Sequence, residues 1–345
     1  MGELNSKFFK EETENNQHVS LKKPGKIKQT FVNRFGHIRA GWRMAIYIIT
    51  SIFCLIPVIV IFVIFGNISP QQNESELLSV PYILLYVAIN TALIISALVS
   101  LKLIDRRPFG ILGINLYAGW FREFSTGLGL GFVLLTVIFL IFWITGLVQV
   151  TIGEMNTVVL SSMSLYLALF LFAGATEEFL MRGYLFQASI EGSRNWIAVL
   201  IFSLIFSLLH FANPNWSWSG AINIFLAGVL LSVAYIKTRS LWLPIGLHMA
   251  WNWTQGPLWG MNVSGISTVN SFLVSIPRGP DLLSGGEFGA EDSLISSVFI
   301  TGLLWYVWKV NWIKPSPHNE ALWQKYPAGY GLEPVKLSEE FPPST

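Results

Sequence analysis

Charge is what this 345-residue sequence has least of: Asp, Glu, Lys and Arg make up 12% of it, about half the share of an ordinary soluble domain. That scarcity excludes a water-soluble globule with a charged shell. The formal net charge of +2 offers no basic surface for nucleic acid, so no nucleic-acid partner is expected. Cysteine is nearly missing too. The single Cys54 rules out an intramolecular disulfide, falls within an apolar run and has no histidine close by in sequence. Hydrolase signatures are absent as well: there is no His-Glu-x-x-His zincin helix, no Gly-x-Ser-x-Gly elbow and no Ser-His-Asp order. A cleavable signal peptide is not expected, because about forty polar and basic residues precede the first long apolar run.

What the sequence does have is hydrophobic length. Hydrophobic residues reach 52%, with 14 Trp and 25 Phe, and the mean hydropathy is +0.54. About 20 apolar residues suffice to cross a bilayer, and eight segments qualify: 43–66, 80–103, 124–147, 161–188, 196–213, 219–236, 240–260 and 293–312. Lysine and arginine placement tests this count. With the N-terminus in the cytoplasm, the loops on the opposite side at 67–79, 148–160 and 214–218 contain neither residue, and 261–292 contains only Arg278. The expected fold is therefore all-α, a polytopic membrane bundle of about eight transmembrane helices with both termini cytoplasmic. Its organisation reads as a polar, basic cytoplasmic tail at 1–40, a helical bundle at 41–312, and a second cytoplasmic tail at 313–345 that looks extended. The segment 105–120 would suit an amphipathic stretch at the cytoplasmic interface. Residues 127–131, Gly-Leu-Gly-Leu-Gly, resemble a phosphate-cradling loop only superficially, and close helix packing through small residues is the better account.

Against this apolar background, five ionisable residues stand out within the hydrophobic stretches: Glu177, Glu178, Arg182, His210 and His248. Such groups are costly in hydrocarbon and are read as functional by default. They fall in three clusters. In the first, Glu178 and Arg182 are spaced i,i+4 with the acid N-terminal, which favours an ion pair. Neighbouring helical residues point about 100° apart, so that pairing leaves Glu177 facing elsewhere, as a carboxylate able to serve as a general base. The second cluster sets Phe206 and His210 on one helix face. The third sets His248 and Asn252 on another, where both could donate to one oxyanion. Each cluster has a plainer reading, as a polar lock between helices, an interfacial histidine with a packing Phe, or a His–Asn hydrogen bond. Three clusters on three different spans favour a shared wet chamber. There Glu177 and His210 could activate water while His248 and Asn252 hold the oxyanion. Alternatively Glu177, His210 and His248 could bind Zn²⁺ and leave a position open for water. The residues leave both versions open, with the helical dispersal and the Asn favouring the metal-free one.

Glu-Glu-x-x-x-Arg at 177–182, Phe-x-x-x-His at 206–210 and His-x-x-x-Asn at 248–252 resemble the three motifs of the CPBP intramembrane protease family. That family comprises the type II CAAX prenyl endopeptidases, bacteriocin-processing proteins and abortive-infection proteins. Arg182-Gly183-Tyr184-Leu185 and the 107–113 segment are similar to further family features, and the resemblance covers roughly 100–260. It implies a membrane endopeptidase, in a glutamate- or metal-dependent (metalloprotease) form, acting on a peptide or protein substrate in the lipid bilayer. In that reading Glu177 is the general base, His210 helps activate water, and His248 with Asn252 forms the oxyanion site. Glu178 and Arg182 hold the site together, supported by Phe206. The expected location is a prokaryotic plasma membrane. Two other classes compete: a non-catalytic immunity or scaffold protein, and a proton-coupled carrier, though no inverted repeat or paired broken helices support the carrier.

Overall fold

The computed structural model describes residues 30–32, 38–65 and 80–326. The expected N-terminal tail up to residue 29 and the chain beyond 326 lie outside the described residues. The architecture is helical, and six of its helical stretches are long and apolar enough to cross a membrane. Helix α1 (Ala40–Phe65) and helix α2 (Val80–Ser100), which runs on into a π-helical turn at Leu101–Asp105, pack together. Helix α3 is Trp120–Ile144, and helix α4 (Thr157–Arg182) is followed directly by α5 (Tyr184–Gly192). Then come α6 (Asn195–Leu209), α7 (Trp218–Thr238), α8 (Trp242–Trp253) and α9 (Leu294–Lys309). All eight expected segments are helical. The last two are shorter than expected, since α8 passes into a π-helical turn at Thr254–Leu258 and α9 has 16 residues.

The expected single helix at 161–188 is two pieces. Gly183 separates α4 from α5 with φ −79° and ψ −126°. A Cβ there would lie 2.1 Å from the Phe179 carbonyl oxygen, so the chain turns where only glycine fits. α5 and α1 pack together, and a buried ionic cluster seals the junction. Arg43 of α1 pairs with Asp105 at 2.7 Å and with Glu191 of α5, while Arg107 reaches Glu191 at 2.5 Å.

Helix α8 is the central stave. Every residue from Leu243 to Trp251 is buried, which a helix achieves only when neighbours cover all its faces. The covering helices are α3, α4 and α7. Against α3 the approach is close: a Cβ on Gly127 would lie 2.2 Å from the Leu243 carbonyl oxygen, and one on Gly246 2.2 Å from that of Phe124. Gly127 and Gly131 thus form the small-residue seam expected from the sequence, while Gly129 faces open space. Lys237 of α7 donates to the carbonyls of Val307 and Trp308, both at 2.9 Å, and to that of Val310. This caps the end of α9, where orphan carbonyls and the helix dipole both attract a cation.

Three segments differ from expectation. Within the amphipathic stretch expected at 105–120, residues 107–113 turn partly into the bundle. They form a 3₁₀ turn (Phe109–Leu112) whose Ile111 and Leu112 are buried, and the Gly113 carbonyl accepts from Leu241 N–H at 2.8 Å. The apolar half of the segment wedges into the bundle under the α7–α8 turn because that turn needs hydrogen-bond partners. The extended tail expected from 313 contains helix α10 (Pro317–Lys325), started by a Ser316 cap and docked by His318 stacked on Tyr117 with ring centroids 5.5 Å apart. The 261–292 loop, unreadable in sequence, contributes strand β2 (Leu273–Pro277), antiparallel to β1 (Val148–Ile152) in the register Val148↔Pro277 to Ile152↔Leu273.

Candidate active site

Helices α4, α6, α7 and α8 and the 261–292 loop enclose a cavity of about 740 Å³, and residues of α2 also line it. Glu177, Phe206, His210, His248 and Asn252 all lie on its wall. The two adjacent acids part company as the helical spacing requires. Glu178 has a fully buried side chain, whereas that of Glu177 is 34% exposed.

Arg182 is the hub of the buried side. Its guanidinium donates to Glu178 at 2.9 Å, to the Gly228 carbonyl at 2.9 Å and to Ser232 Oγ at 3.3 Å. It also lies 4.9 Å from the centroid of the Phe206 ring. Gly228 brings the α7 backbone within reach: a Cβ there would meet Ser203 of α6 at 2.9 Å. The charge on Arg182 is therefore met by a carboxylate, a carbonyl, a hydroxyl and an aromatic face, the degree of compensation that a buried guanidinium needs.

His248 joins the two acids. Its Nδ1 is 2.9 Å from Glu178 Oε1, and its Nε2 is 3.8 Å from Glu177 Oε2. A carboxylate accepts only, so Nδ1 carries a proton toward Glu178 and Nε2 is turned to Glu177 and the cavity. The 3.8 Å gap is too long for a direct hydrogen bond and suits a bridging water. On the opposite wall, His210 is not in the regular helix: α6 ends at Leu209 and His210 opens a 3₁₀ turn. Its Nδ1 lies 2.8 Å from the Phe206 carbonyl oxygen, which fixes that nitrogen as the donor and leaves Nε2 with its lone pair. The Phe206 ring stands edge-on between the imidazoles, 4.8 Å from His210 and 5.8 Å from His248.

The structure thus brings Glu177, Glu178, Arg182, Phe206 and His248 into one contiguous group, with His210 edge-on to Phe206. His210 and Glu177 face the same cavity without a direct ion pair or hydrogen bond. Asn252, one turn beyond His248, reaches the cavity with no hydrogen bond to a described residue. No three His, Cys, Asp or Glu side chains among the described residues are grouped to hold a metal ion. Glu177, His210 and His248, the possible zinc set of the sequence reading, all line this cavity.

Residues 159–254 match the family model described as type II CAAX prenyl endopeptidase Rce1-like. The family resemblance holds. The match spans all three motifs and sits inside the bundle of this integral membrane chain, and it supports a likeness to the CAAX-type membrane proteases. No curated protein and no solved structure was matched.

Several wall residues carried no signal in sequence. Tyr86 and Asn90 of α2, outside the matched region, line the cavity beside α4, where Tyr86 meets Phe172 edge-on. Ser232 and Gly228 were unmarked because their part appears only when α7 packs beside Arg182. Glu291 lines the outer part of the cavity, where burial pushes its carboxyl upward while hydrogen bonds from Gln255, Trp251 and Ser264 pull it back. Its position in a Ser/Gly-rich loop hid it.

Proposed function

We propose that this chain is an intramembrane endopeptidase of a prokaryotic plasma membrane that hydrolyses peptide bonds with a water activated by Glu177. The observation that carries the reading is His248 held between two unlike carboxylates. Glu178, locked by Arg182, fixes one ring nitrogen, and Glu177, free at the cavity wall, faces the other.

In this reading a water occupies the gap between Glu177 Oε2 and His248 Nε2. Glu177 accepts one of its protons as the oxygen attacks the scissile carbonyl carbon. The lone pair of His210 Nε2 accepts a hydrogen bond from the same water and fixes its direction of attack. Negative charge then grows on the carbonyl oxygen. His248, as an imidazolium that keeps Nδ1–H on Glu178, offers Nε2–H to that oxyanion, and Asn252 offers its amide N–H. Collapse of the tetrahedral intermediate breaks the C–N bond, and the proton held by Glu177 passes to the leaving amine. One water is consumed and Glu177 returns to its starting state. No step requires a metal.

Glu178, Arg182 and Phe206 do not touch the reacting atoms; they position His248 and His210. The claim concerns a plain peptide bond, and a prenyl group forms no part of it. The test is incubation of the purified protein in nanodiscs with mixed membrane-associated peptides, followed by mass spectrometry. New products cut at internal bonds are expected. Intact peptides throughout, with proton-driven uptake in liposomes, would replace this reading with the carrier.

A further inference from the structure

Three deeply placed acids in this bundle, Asp105, Glu178 and Glu191, each pair with an arginine. Glu291 does not. It is 5% exposed and has no ion-pair partner among the described residues, yet it lines the same cavity as Glu177. Its Oε1 accepts from Trp251 Nε1 at 3.3 Å and from Ser264 Oγ at 3.2 Å, and its Oε2 accepts from Gln255 Nε2. Each carboxylate oxygen has two lone-pair positions, so Oε2 keeps one free. Three neutral donors do not cancel a buried negative charge, and an unpaired one is strongly disfavoured.

The carboxylate is also well anchored. The Glu291 backbone carbonyl accepts from Asn223 Nδ2 at 2.6 Å, and Ser264 is tied through its own carbonyl to Asn213, at 3.0 Å, just beyond His210. The cavity lining contains two carboxylates and no lysine or arginine, so it favours cationic over anionic ligands. Trp251 and Gln255 follow His248 by three and seven residues, about 5 and 10 Å along a helix rising 1.5 Å per residue. An extended peptide advances about 3.3 Å per residue. A side chain meeting Glu291 would then stand about one to three residues from the bond lying beside His248.

We propose that Glu291 is a recognition residue for a lysine or arginine side chain of the substrate, carried about one to three residues from the scissile bond. The proposal rests on the peptidase reading given above and adds a substrate class to it. A bound ammonium or guanidinium supplies the missing cation at the free Oε2 position. Acidic segments are repelled by Glu177 and Glu291 together.

The test uses the full chain in nanodiscs and one apolar peptide sequence in which a single lysine is moved through each position. Each lysine peptide has matched norleucine and glutamate versions. Cleavage is followed by fluorescence, and binding of the same peptides by anisotropy. Lysine at one position is expected to raise kcat/KM and tighten binding about tenfold over norleucine, with glutamate poorest. Glu291→Gln is expected to bring the lysine-to-norleucine ratio to within about twofold of unity. Equal handling of all three peptides by the wild-type protein would overturn the proposal, as would a lysine preference surviving in Glu291→Gln. If that variant does not fold, the wild-type panel decides alone. Cleavage without charge preference sinks this inference and spares the peptidase; lysine-selective binding without cleavage does the reverse. Absence of both ends both.

Discussion

Glu177 and Glu178 are neighbours in the chain and opposites in the structure. One side of α4 is closed: Glu178, Arg182 and Ser232 form one hydrogen-bonded chain with no side-chain exposure at the ion pair. The other side is open: Glu177 stands on the wall of a cavity with His248, His210 and Asn252. The contrast teaches that two identical side chains acquire different work from a 100° rotation about a helix axis. The closed side keeps an imidazole in place, and the open side keeps a carboxylate within reach of water. His248 touches both and so transmits the rigidity of one to the chemistry of the other.

The comparison can be broken or sharpened by substitution. The largest effect is expected from Glu177→Gln, which should lower kcat by about 10²- to 10⁴-fold while leaving the melting temperature in detergent nearly unchanged. Next comes Arg182→Leu on the closed side. It strands Glu178 in the interior and should cost about 3–5 kcal/mol of stability, seen as an unfolding midpoint shifted far down in a denaturant titration. Asn252→Ala removes a donor that has no partner among the described residues, so a loss of about 10²- to 10³-fold in kcat is expected with unchanged folding. Gly246→Ala pushes a methyl into the α3 backbone and should destabilise the α3–α8 seam by about 1–3 kcal/mol, read by thermal unfolding. The smallest effect should follow chelation. With no step assigned to a metal, prolonged treatment with a strong chelator is expected to leave turnover within about twofold of its starting value, and abolition reversed by zinc would favour the alternative mechanism.

Much of this was legible in the chain because the signals are local. Hydrophobic length marked the eight segments. An i,i+4 spacing marked the Glu178–Arg182 pair, and three polar clusters in apolar surroundings marked the wall of the cavity. What escaped depends on contacts between distant segments. Nothing within 261–292 announces that β2 will pair with β1 or that Glu291 will return to the cavity, because both follow from where α8 and α9 leave the loop ends. The packing of part of the 105–120 stretch into the bundle was hidden because its partners, Gln187 and Leu241, lie far along the sequence. Likewise, the contact of His248 with both acids arises only once α8 is buried beside α4. Periodicity could say which way each acid points, and it could not say what would be waiting there.

The most direct test of this division of labour is a paired measurement of thermal unfolding and peptide turnover for Glu177→Gln and Glu178→Gln, purified side by side. The account predicts that the first variant unfolds like the wild type and is nearly inert, while the second unfolds at a distinctly lower temperature. Full turnover by Glu177→Gln, or wild-type stability in Glu178→Gln, would contradict it.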